Sequence, residues 1–208
     1  MIGNAELWHG DCREVLPLLG AFDAVVCDPP YPDYHAEAYG YEEGLLEPLR
    51  MMACRQFIFW SSKADFPLSH CAVHIWDKKT GCGSQYERLY ERNGQAAYKV
   101  YRQYLINSTV AASYTGDEWT GHPSQKPLRL MQQVVSDATN IGASVLDPWM
   151  GSGSTGLACL ITGRRFTGIE RERKYFDIAC ERIARAQAQG QMFAPEPAAL
   201  PTQQAMEL

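Results

Sequence analysis

Short apolar runs alternate with amphipathic stretches along most of the chain, and this pattern predicts an α/β protein. Continuous apolar runs, typical of strands buried on both faces of a parallel sheet, occur at residues 22–28, 56–60 and 144–147. Shorter strands are predicted at 5–8, 72–76 and 165–170, and helices at 12–19, 45–55, 127–138 and 173–188. The alternation of strands with helices indicates βαβ units and a mainly parallel sheet.

Residues 78–121 differ in character from the rest of the chain. This stretch combines cationic side chains with interleaved tyrosines, whereas the whole protein carries a net charge of -5. We therefore predict one domain over residues 1–190, with 78–121 inserted between a first half at 1–77 and a second half at 122–190. The remaining residues, 191–208, consist largely of Gln, Ala and Pro and are predicted to form a disordered tail.

The composition is that of an ordinary globular protein, with 46% hydrophobic and 21% charged residues among 208. No apolar run reaches the length of a membrane span, and the first residues lack a signal-peptide pattern. We therefore expect a cytoplasmic protein without membrane association. Seven scattered cysteines fit reduced thiols better than a disulfide framework. Cys71, His74 and Cys82 have no fourth ligand at metal spacing, so no metal site is expected.

A carboxylate followed by prolines ends one of the predicted buried strands. The residues are Asp28, Pro29, Pro30 and Tyr31. Proline fixes its own φ angle and lacks an N–H donor, so this segment is stiff. It holds a carboxylate, unpaired carbonyls and an aromatic ring at the carboxyl end of a strand. Open α/β sheets bind their ligands at that edge, so we expect a binding site here.

A glycine-rich loop follows another predicted strand. Gly151, Gly153 and Gly156 have the spacing G-x-G-x-x-G before a helix, and Glu170 ends the next strand. Glycines allow a ligand to approach the backbone, a helix N-terminus offers free N–H groups, and an acid can accept from ribose hydroxyls. The loop therefore predicts an adenosine-containing ligand, and a dinucleotide is one alternative. Asp147, just before the loop, would repel a pyrophosphate and suits a cationic ligand, which favours S-adenosylmethionine.

Three segments together resemble the amino-group DNA methyltransferases. They are Asp28-Pro29-Pro30-Tyr31, His122-Pro123-Ser124-Gln125-Lys126-Pro127 and Asp147-Pro148-Trp149-Met150-Gly151-Ser152-Gly153. Their order is similar to that of the β class, a circular permutation in which the catalytic segment precedes the cofactor loop. The resemblance implies a Rossmann-like, S-adenosylmethionine-dependent fold with a mainly parallel, seven-stranded sheet. It also implies a catalytic half at 1–77, a DNA target-recognition insertion at 78–121 and a cofactor-binding half at 122–190.

The same resemblance implies roles for individual residues. Asp28 and the Pro29 carbonyl would accept the amino hydrogens of adenine, with Pro30 in the same stiff segment. Tyr31 would stack on the base, which is flipped out of double-stranded DNA. The methyl group would move by direct in-line attack, without a covalent enzyme intermediate. The implied cofactor-binding residues are Asp11, Lys126, Pro127, Asp147, Pro148, Trp149, Gly151, Gly153 and Glu170.

Cations of the inserted region are the expected contacts to DNA phosphates. They are Lys78, Lys79, Arg88, Arg92, Lys99 and Arg102. For each of them the alternative is a structural role in a minor core built on tyrosines. Double-stranded DNA is the expected partner, and a homodimer is compatible with the sequence.

The sequence thus predicts a site-specific DNA adenine methyltransferase, either part of a restriction–modification system or an orphan enzyme. Methylation of the cytosine amino group is the alternative within the class, because the cytosine enzymes more often carry Ser in place of Asp28. A non-catalytic nucleotide-binding protein or a dinucleotide-binding Rossmann protein is the alternative from a different class, since the glycine-rich loop also allows it.

Overall fold

The computed structural model describes residues 1–33, 40–79, 85–95, 97–106, 109, 111 and 117–192. Part of the loop after Tyr31 and nearly all of the predicted tail therefore lie outside the described residues. Within the described ranges, none of the helices has the length and apolar character needed to cross a membrane.

Eight strands among the described residues form one mainly parallel sheet in the order β1-β8-β7-β2-β3-β5-β4-β6. The strands are β1 Ala5–His9, β2 Ala24–Cys27, β3 Arg55–Trp60, β4 Ala72–Asp77, β5 Tyr86–Arg92, β6 Val100–Arg102, β7 Ser144–Asp147 and β8 Arg165–Glu170. Among the described strands, only β5 runs antiparallel to its neighbours. The α/β class and the mainly parallel sheet are confirmed, but the sheet has eight strands instead of the seven expected.

The difference in strand number arises in the region predicted to be an insertion. Strand β5 lies between β3 and β4 and pairs with both, and β6 pairs with β4 at the edge of the sheet. Leu89 and Tyr90 of β5 are buried. Strands β5 and β6 of this region therefore belong to the main sheet. The charged sequence of β5 does not indicate a buried strand, because the residues that pair with Glu91 and Arg92 lie on another strand.

In the part of the chain that the structure describes, five α-helices flank the sheet. They are α1 Cys12–Val15, α2 Glu47–Arg50, α3 Leu128–Ala138, α4 Ser154–Ile161 and α5 Arg173–Met192. The predicted helix at 12–19 gives way to a 3₁₀ turn at Leu16–Leu18, which contains Pro17 near its start. The predicted helix at 45–55 is reduced to the single turn of α2, because β3 already begins at Arg55.

The helices cover both faces of the sheet. Strand β2 is buried along its whole length, so its side chains alternate between two cores. Ala24 and Val26 face the core that includes residues of α3, α4 and α5. Val25 and Cys27 face the core on the side of α1 and α2. This explains why the strand is apolar without interruption, as the sequence analysis predicted.

The carboxyl ends of four parallel strands meet at one edge of the sheet. Strands β1, β8, β7 and β2 are consecutive neighbours and all parallel. The chain passes from β2 outward to β3 on one side, and from β7 outward to β8 on the other. The edge between β7 and β2 is therefore a topological switch point, where helices leave on opposite faces and open a crevice. Asp28 and Asp147 lie at this point.

Candidate active site

A cavity of about 350 Å³ opens at the carboxyl edge of the sheet. Its lining contains the whole predicted catalytic segment, Asp28, Pro29, Pro30 and Tyr31. It also contains most of the predicted cofactor-binding residues, namely Asp11, Lys126, Asp147, Pro148, Trp149, Gly151 and Glu170. Pro127 and Gly153 do not line it, because Pro127 precedes the first turn of α3 and Gly153 caps α4. The cavity thus joins segments that are far apart in sequence.

The Asp28 carboxylate is held by two donors from the protein. The Tyr31 hydroxyl donates to Oδ1, and the ammonium group of Lys126 forms an ion pair with Oδ2. Burial raises the pKa of Asp28, and the Lys126 ammonium acts in the opposite direction. The stiff proline segment and these two contacts fix the orientation of the carboxylate within the cavity.

A second carboxylate, that of Glu87 on β5, shares the same ammonium group. Glu87 Oε2 lies 3.3 Å from Lys126 Nζ, and Oε1 lies 2.6 Å from Lys78 Nζ. Burial alone would raise the pKa of Glu87, but the two ammonium groups bring it below its ordinary value. The sequence analysis assigned no role to Glu87, because it occurs in a strand of mixed charges. Lys78, expected to contact DNA, instead belongs to this buried cluster.

The glycine-rich loop has the geometry that its spacing predicts. Gly151 and Gly153 have φ angles of 51° and 81°, in a region that residues other than glycine rarely adopt. A Cβ atom on Gly151 would lie 3.0 Å from His122 Nε2. The buried hydroxyl of Ser154, at the start of α4, has no hydrogen-bond partner among the described residues and lines the cavity. These features fit a ligand that approaches the backbone at a helix N-terminus.

Two buried acids anchor this loop. Asp147 accepts hydrogen bonds from Thr155 Oγ1 at 2.5 Å and from the Trp149 amide at 3.1 Å. Burial raises the pKa of Asp147 to about 7. Glu170 accepts from the amides of Gly151 at 2.9 Å and Glu172 at 2.7 Å, and burial raises its pKa as well. Carboxylates that are costly to ionise without a partner suit a ligand with a positive charge.

Asp11 also lines the cavity and follows β1, the strand that pairs with β8. It caps α1 by accepting from the amide of Arg13 at 2.8 Å, and it also accepts from the Arg13 guanidinium. The hydrogen bond from that guanidinium holds the pKa of Asp11 below its usual value. Asp11 therefore remains ionised and faces the cavity while serving as a helix cap.

Two aromatic side chains in the lining had no role in the sequence analysis. The ring of His122 packs edge-on against Tyr175, with ring centroids 4.3 Å apart. Its Nδ1 accepts from the Ser124 amide at 3.2 Å, and burial lowers its pKa to about 4. His122 is therefore neutral, with the proton on Nε2. The sequence signal that could have found His122 is its place in the same segment as Lys126. Nothing in the sequence marks Tyr175, on α5, as part of the site.

Three of the six cations expected to contact DNA are engaged inside the protein. Arg92 is 4% exposed and donates to the Leu49 carbonyl and the Gln56 side chain. Arg88 donates to the Ser62 carbonyl at 2.6 Å. Lys78 is bound to Glu87, and both Lys78 and Arg92 balance buried polar groups of the sheet, which is the structural role named above as the alternative. Arg88 is half-buried and also donates to the Tyr90 hydroxyl.

The other three cations are exposed. Lys99 forms an ion pair with Asp137, and Arg102 lies 3.6 Å from Asp77. Lys79 lies over the ring of Tyr104, with 4.9 Å between its Nζ and the ring centroid. Lys79 follows the carboxyl end of β4 and Arg102 is the last residue of β6, at the same edge of the sheet as the cavity. Lys99 lies at the opposite end of β6.

Comparison with known proteins identifies relatives of this site and fold. A sequence profile of the family described as "DNA methylase" (N6_N4_Mtase) matches residues 51–181. The type II methyltransferase M2.DpnII of Streptococcus pneumoniae is 31% identical over 65% of this chain and 47% of its own length. The DNA adenine methyltransferase YhdJ of Escherichia coli (strain K12) is 39% identical over 34% of this chain and 24% of its own length. The chain thus spans about half or less of the length of these curated relatives.

A solved structure agrees with the fold over nearly the whole described chain. The complex of M1.HpyAVI with SAM superimposes with a TM-score of 0.59 and 26% identity, covering 86% of this chain and 99% of that one. The cytosine-N4-specific PvuII methyltransferase has the same fold, with a TM-score of 0.64 but only 13% identity. With the family profile covering well over half of its residues, the chain belongs to the DNA methylase family of amino-group methyltransferases.

Proposed function

We propose that this protein transfers the methyl group of S-adenosylmethionine to the exocyclic amino group of adenine in double-stranded DNA. The observation that carries the proposal is the Asp28 carboxylate, fixed inside the cavity beside the glycine-rich loop. Adenine is favoured by Asp at this position and by the name of YhdJ, a DNA adenine methyltransferase.

Asp28 and Pro29 would activate the target nitrogen. The lone pair of an exocyclic amino group is delocalised into the base ring, which makes the nitrogen a poor nucleophile. A carboxylate oxygen of Asp28 and the carbonyl of Pro29 can accept the two amino hydrogens and so localise the lone pair. Because prolines 29 and 30 fix the backbone, the acceptors need no rearrangement as positive charge develops on the nitrogen. The carboxylate then takes up the released proton or passes it to solvent.

Tyr31 would serve both the carboxylate and the base. Its hydroxyl donates to Asp28, and its ring lines the cavity with only 7% of the residue exposed. The ring also packs against Trp60, with centroids 5.6 Å apart, which fixes its orientation. A flat ring held in this way suits stacking on a base that has been flipped out of the duplex.

The loop after β7 fits S-adenosylmethionine. This cofactor supplies an electrophilic methyl group on a positively charged sulfur. Asp147 and Glu170 offer buried carboxylates, Gly151 leaves the backbone accessible, and the Ser154 hydroxyl is available as a hydrogen-bond partner. A dinucleotide would instead place two phosphates among these carboxylates, where the charges repel. The acids therefore favour the cationic cofactor over a redox cofactor.

The test begins by expressing the protein in a host that lacks DNA methylation and sequencing the modified bases. Modified adenines within one short sequence are expected, and they give the DNA site for later assays. The purified protein is then incubated with a duplex carrying that site and labelled S-adenosylmethionine. Digestion to nucleosides separates methyladenine from methylcytosine.

Asp28→Ala provides the decisive variant. Removal of the acceptor should lower methyl transfer by at least about a hundredfold. Asp177→Ala, which removes an exposed acid paired with Arg173 on α5, is the matched control and should keep full activity. Label recovered only in methylcytosine would replace adenine by cytosine as the target. Undiminished labelling by Asp28→Ala, or no label in DNA with the wild type, would refute the proposal.

A further inference from the structure

Four charged side chains form a buried, charge-balanced cluster next to the proposed target-base acceptor. They are Asp28, Glu87, Lys78 and Lys126, whose side chains are 18%, 12%, 7% and 5% exposed. Two carboxylates face two ammonium groups, so the cluster carries no net charge when all four are ionised. Lys126 stands between the carboxylates, in contact with Asp28 and 3.3 Å from Glu87 Oε2.

The Lys126 ammonium conflicts with the proposed chemistry as long as it stays on Asp28. The target amino group has to donate to the same carboxylate, and its nitrogen gains positive charge as it attacks the methyl group. An ammonium bound to Asp28 would neutralise the carboxylate and repel that charge at short range, where both side chains are largely shielded from solvent. The ammonium must therefore have another partner when the base is bound.

Glu87 is placed to be that partner. Its Oε2 is already within 3.3 Å of Lys126 Nζ, so a small rotation at the end of the lysine side chain suffices. Lys78 holds the other oxygen of Glu87 at 2.6 Å and leaves Oε2 directed towards Lys126, which lines the cavity. The Lys126 ammonium lies 5.1 Å from the ring centroid of Phe59 and 5.8 Å from that of Trp76. These aromatic faces can stabilise the cation in both positions.

We propose that Glu87 is a positioning residue that takes over the Lys126 ammonium when the target amino group binds Asp28. Lys126 keeps its proton throughout, and only its carboxylate partner changes. In the base-bound state Asp28 Oδ2 becomes free to accept from the base, and Glu87 becomes the counterion of Lys126. This inference rests on the proposed methyl transfer, since it concerns the same amino group and the same carboxylate.

The test is a double-mutant cycle at Glu87 and Lys126. Methyl transfer to the duplex site is measured at saturating S-adenosylmethionine for the wild type, Glu87→Gln, Lys126→Gln and the double variant. In Glu87→Gln the ammonium has only Asp28 as a partner, so kcat/KM should fall by about tenfold or more. In the Lys126→Gln background the same change at Glu87 should cost less than about twofold, because no ammonium remains to be moved.

Two further readouts separate this role from a loss of folding. The negative charge of Glu87 raises the pKa of Asp28. The acidic limb of the pH profile of kcat/KM should therefore move to lower pH in Glu87→Gln. Glu91→Gln is the matched control, because Glu91 is also a buried acid of β5 and pairs with Arg55 and His74 away from the cavity. This control should melt at a lower temperature while the folded protein keeps its activity.

The outcomes are distinct. Full activity of Glu87→Gln, or an equal loss with and without Lys126, would overturn the positioning role while leaving the methyltransferase assignment intact. An acidic limb that stays in place in Glu87→Gln would also overturn it. A wild-type protein that transfers no methyl group would refute the proposed function, and the inference would fall with it.

Discussion

Replacing Asp147 by Asn should stabilise the protein at alkaline pH, although the residue lies in the active site. The Asp147 carboxyl is 2% exposed, and burial raises its pKa from an ordinary value of 3.8 to about 7. Asn can keep both hydrogen bonds, because its oxygen can accept from the Trp149 amide and its amide can donate to Thr155 Oγ1. The substitution therefore removes a charge and keeps one hydrogen bond to each of these two partners.

The sign and size of the effect follow from the two pKa values. Below pH 3.8 the carboxyl is protonated in both states, so it contributes no penalty. As the pH rises towards 7, the unfolded chain loses the proton while the folded protein keeps it, so stability falls. At about 1.4 kcal/mol per pKa unit, the penalty is about 2 kcal/mol at pH 5 and about 4 kcal/mol at pH 8.

Urea unfolding of the cofactor-free protein at pH 5 and pH 8 measures this penalty. Asp147→Asn should exceed the wild type in free energy of unfolding at both pH values, and by more at pH 8. Asp23→Asn is a control of opposite sign, because hydrogen bonds from Ser144 lower the pKa of Asp23. It should lose stability at pH 8. An Asp147→Asn protein no more stable than the wild type at pH 8 would refute the reasoning. A higher free energy of unfolding in Asp147→Asn would indicate that Asp147 is retained for ligand binding at the expense of stability.

The remaining predictions concern packing and DNA binding. A Cβ atom on Gly156 would lie 2.7 Å from Ile183 Cδ1, so Gly156→Ala should cost about 1–3 kcal/mol in urea unfolding. Gly20→Ala, with nothing within 4 Å, is its control, and equal stability of the two variants would contradict this packing. For DNA, Arg102→Ala should lower the slope of log Kd against log salt by about one. Arg92→Met should leave that slope unchanged and lower the melting temperature, because Arg92 is buried.

The local parts of the site could be predicted from the sequence. The apolar run before Asp28 indicates a buried strand, and the prolines after it indicate a stiff end. The spacing of Gly151, Gly153 and Gly156 requires a tight turn at a helix start, and two of these glycines have positive φ angles. These signals are local, since each depends on neighbouring residues and on the allowed conformations of Gly and Pro. For the same reason the strands that carry Asp28 and Asp147 were predicted close to their observed bounds.

Only the tertiary structure decided which charged side chains face the cavity and which hold the sheet together. Lys126 and Asp28 are in contact although they are 98 residues apart in sequence. The Tyr31 hydroxyl lies 3.4 Å from Glu87 Oε2 although these residues are 56 apart. Nothing local distinguishes Glu87 or Arg92 from a solvated charge, because the burial of a charge depends on a distant partner. The sequence by itself therefore determined the chemistry offered at two strand ends. The sheet order, which brings β5 beside β3, determined that Glu87 lies next to Lys126 and that Arg92 is buried against Gln56.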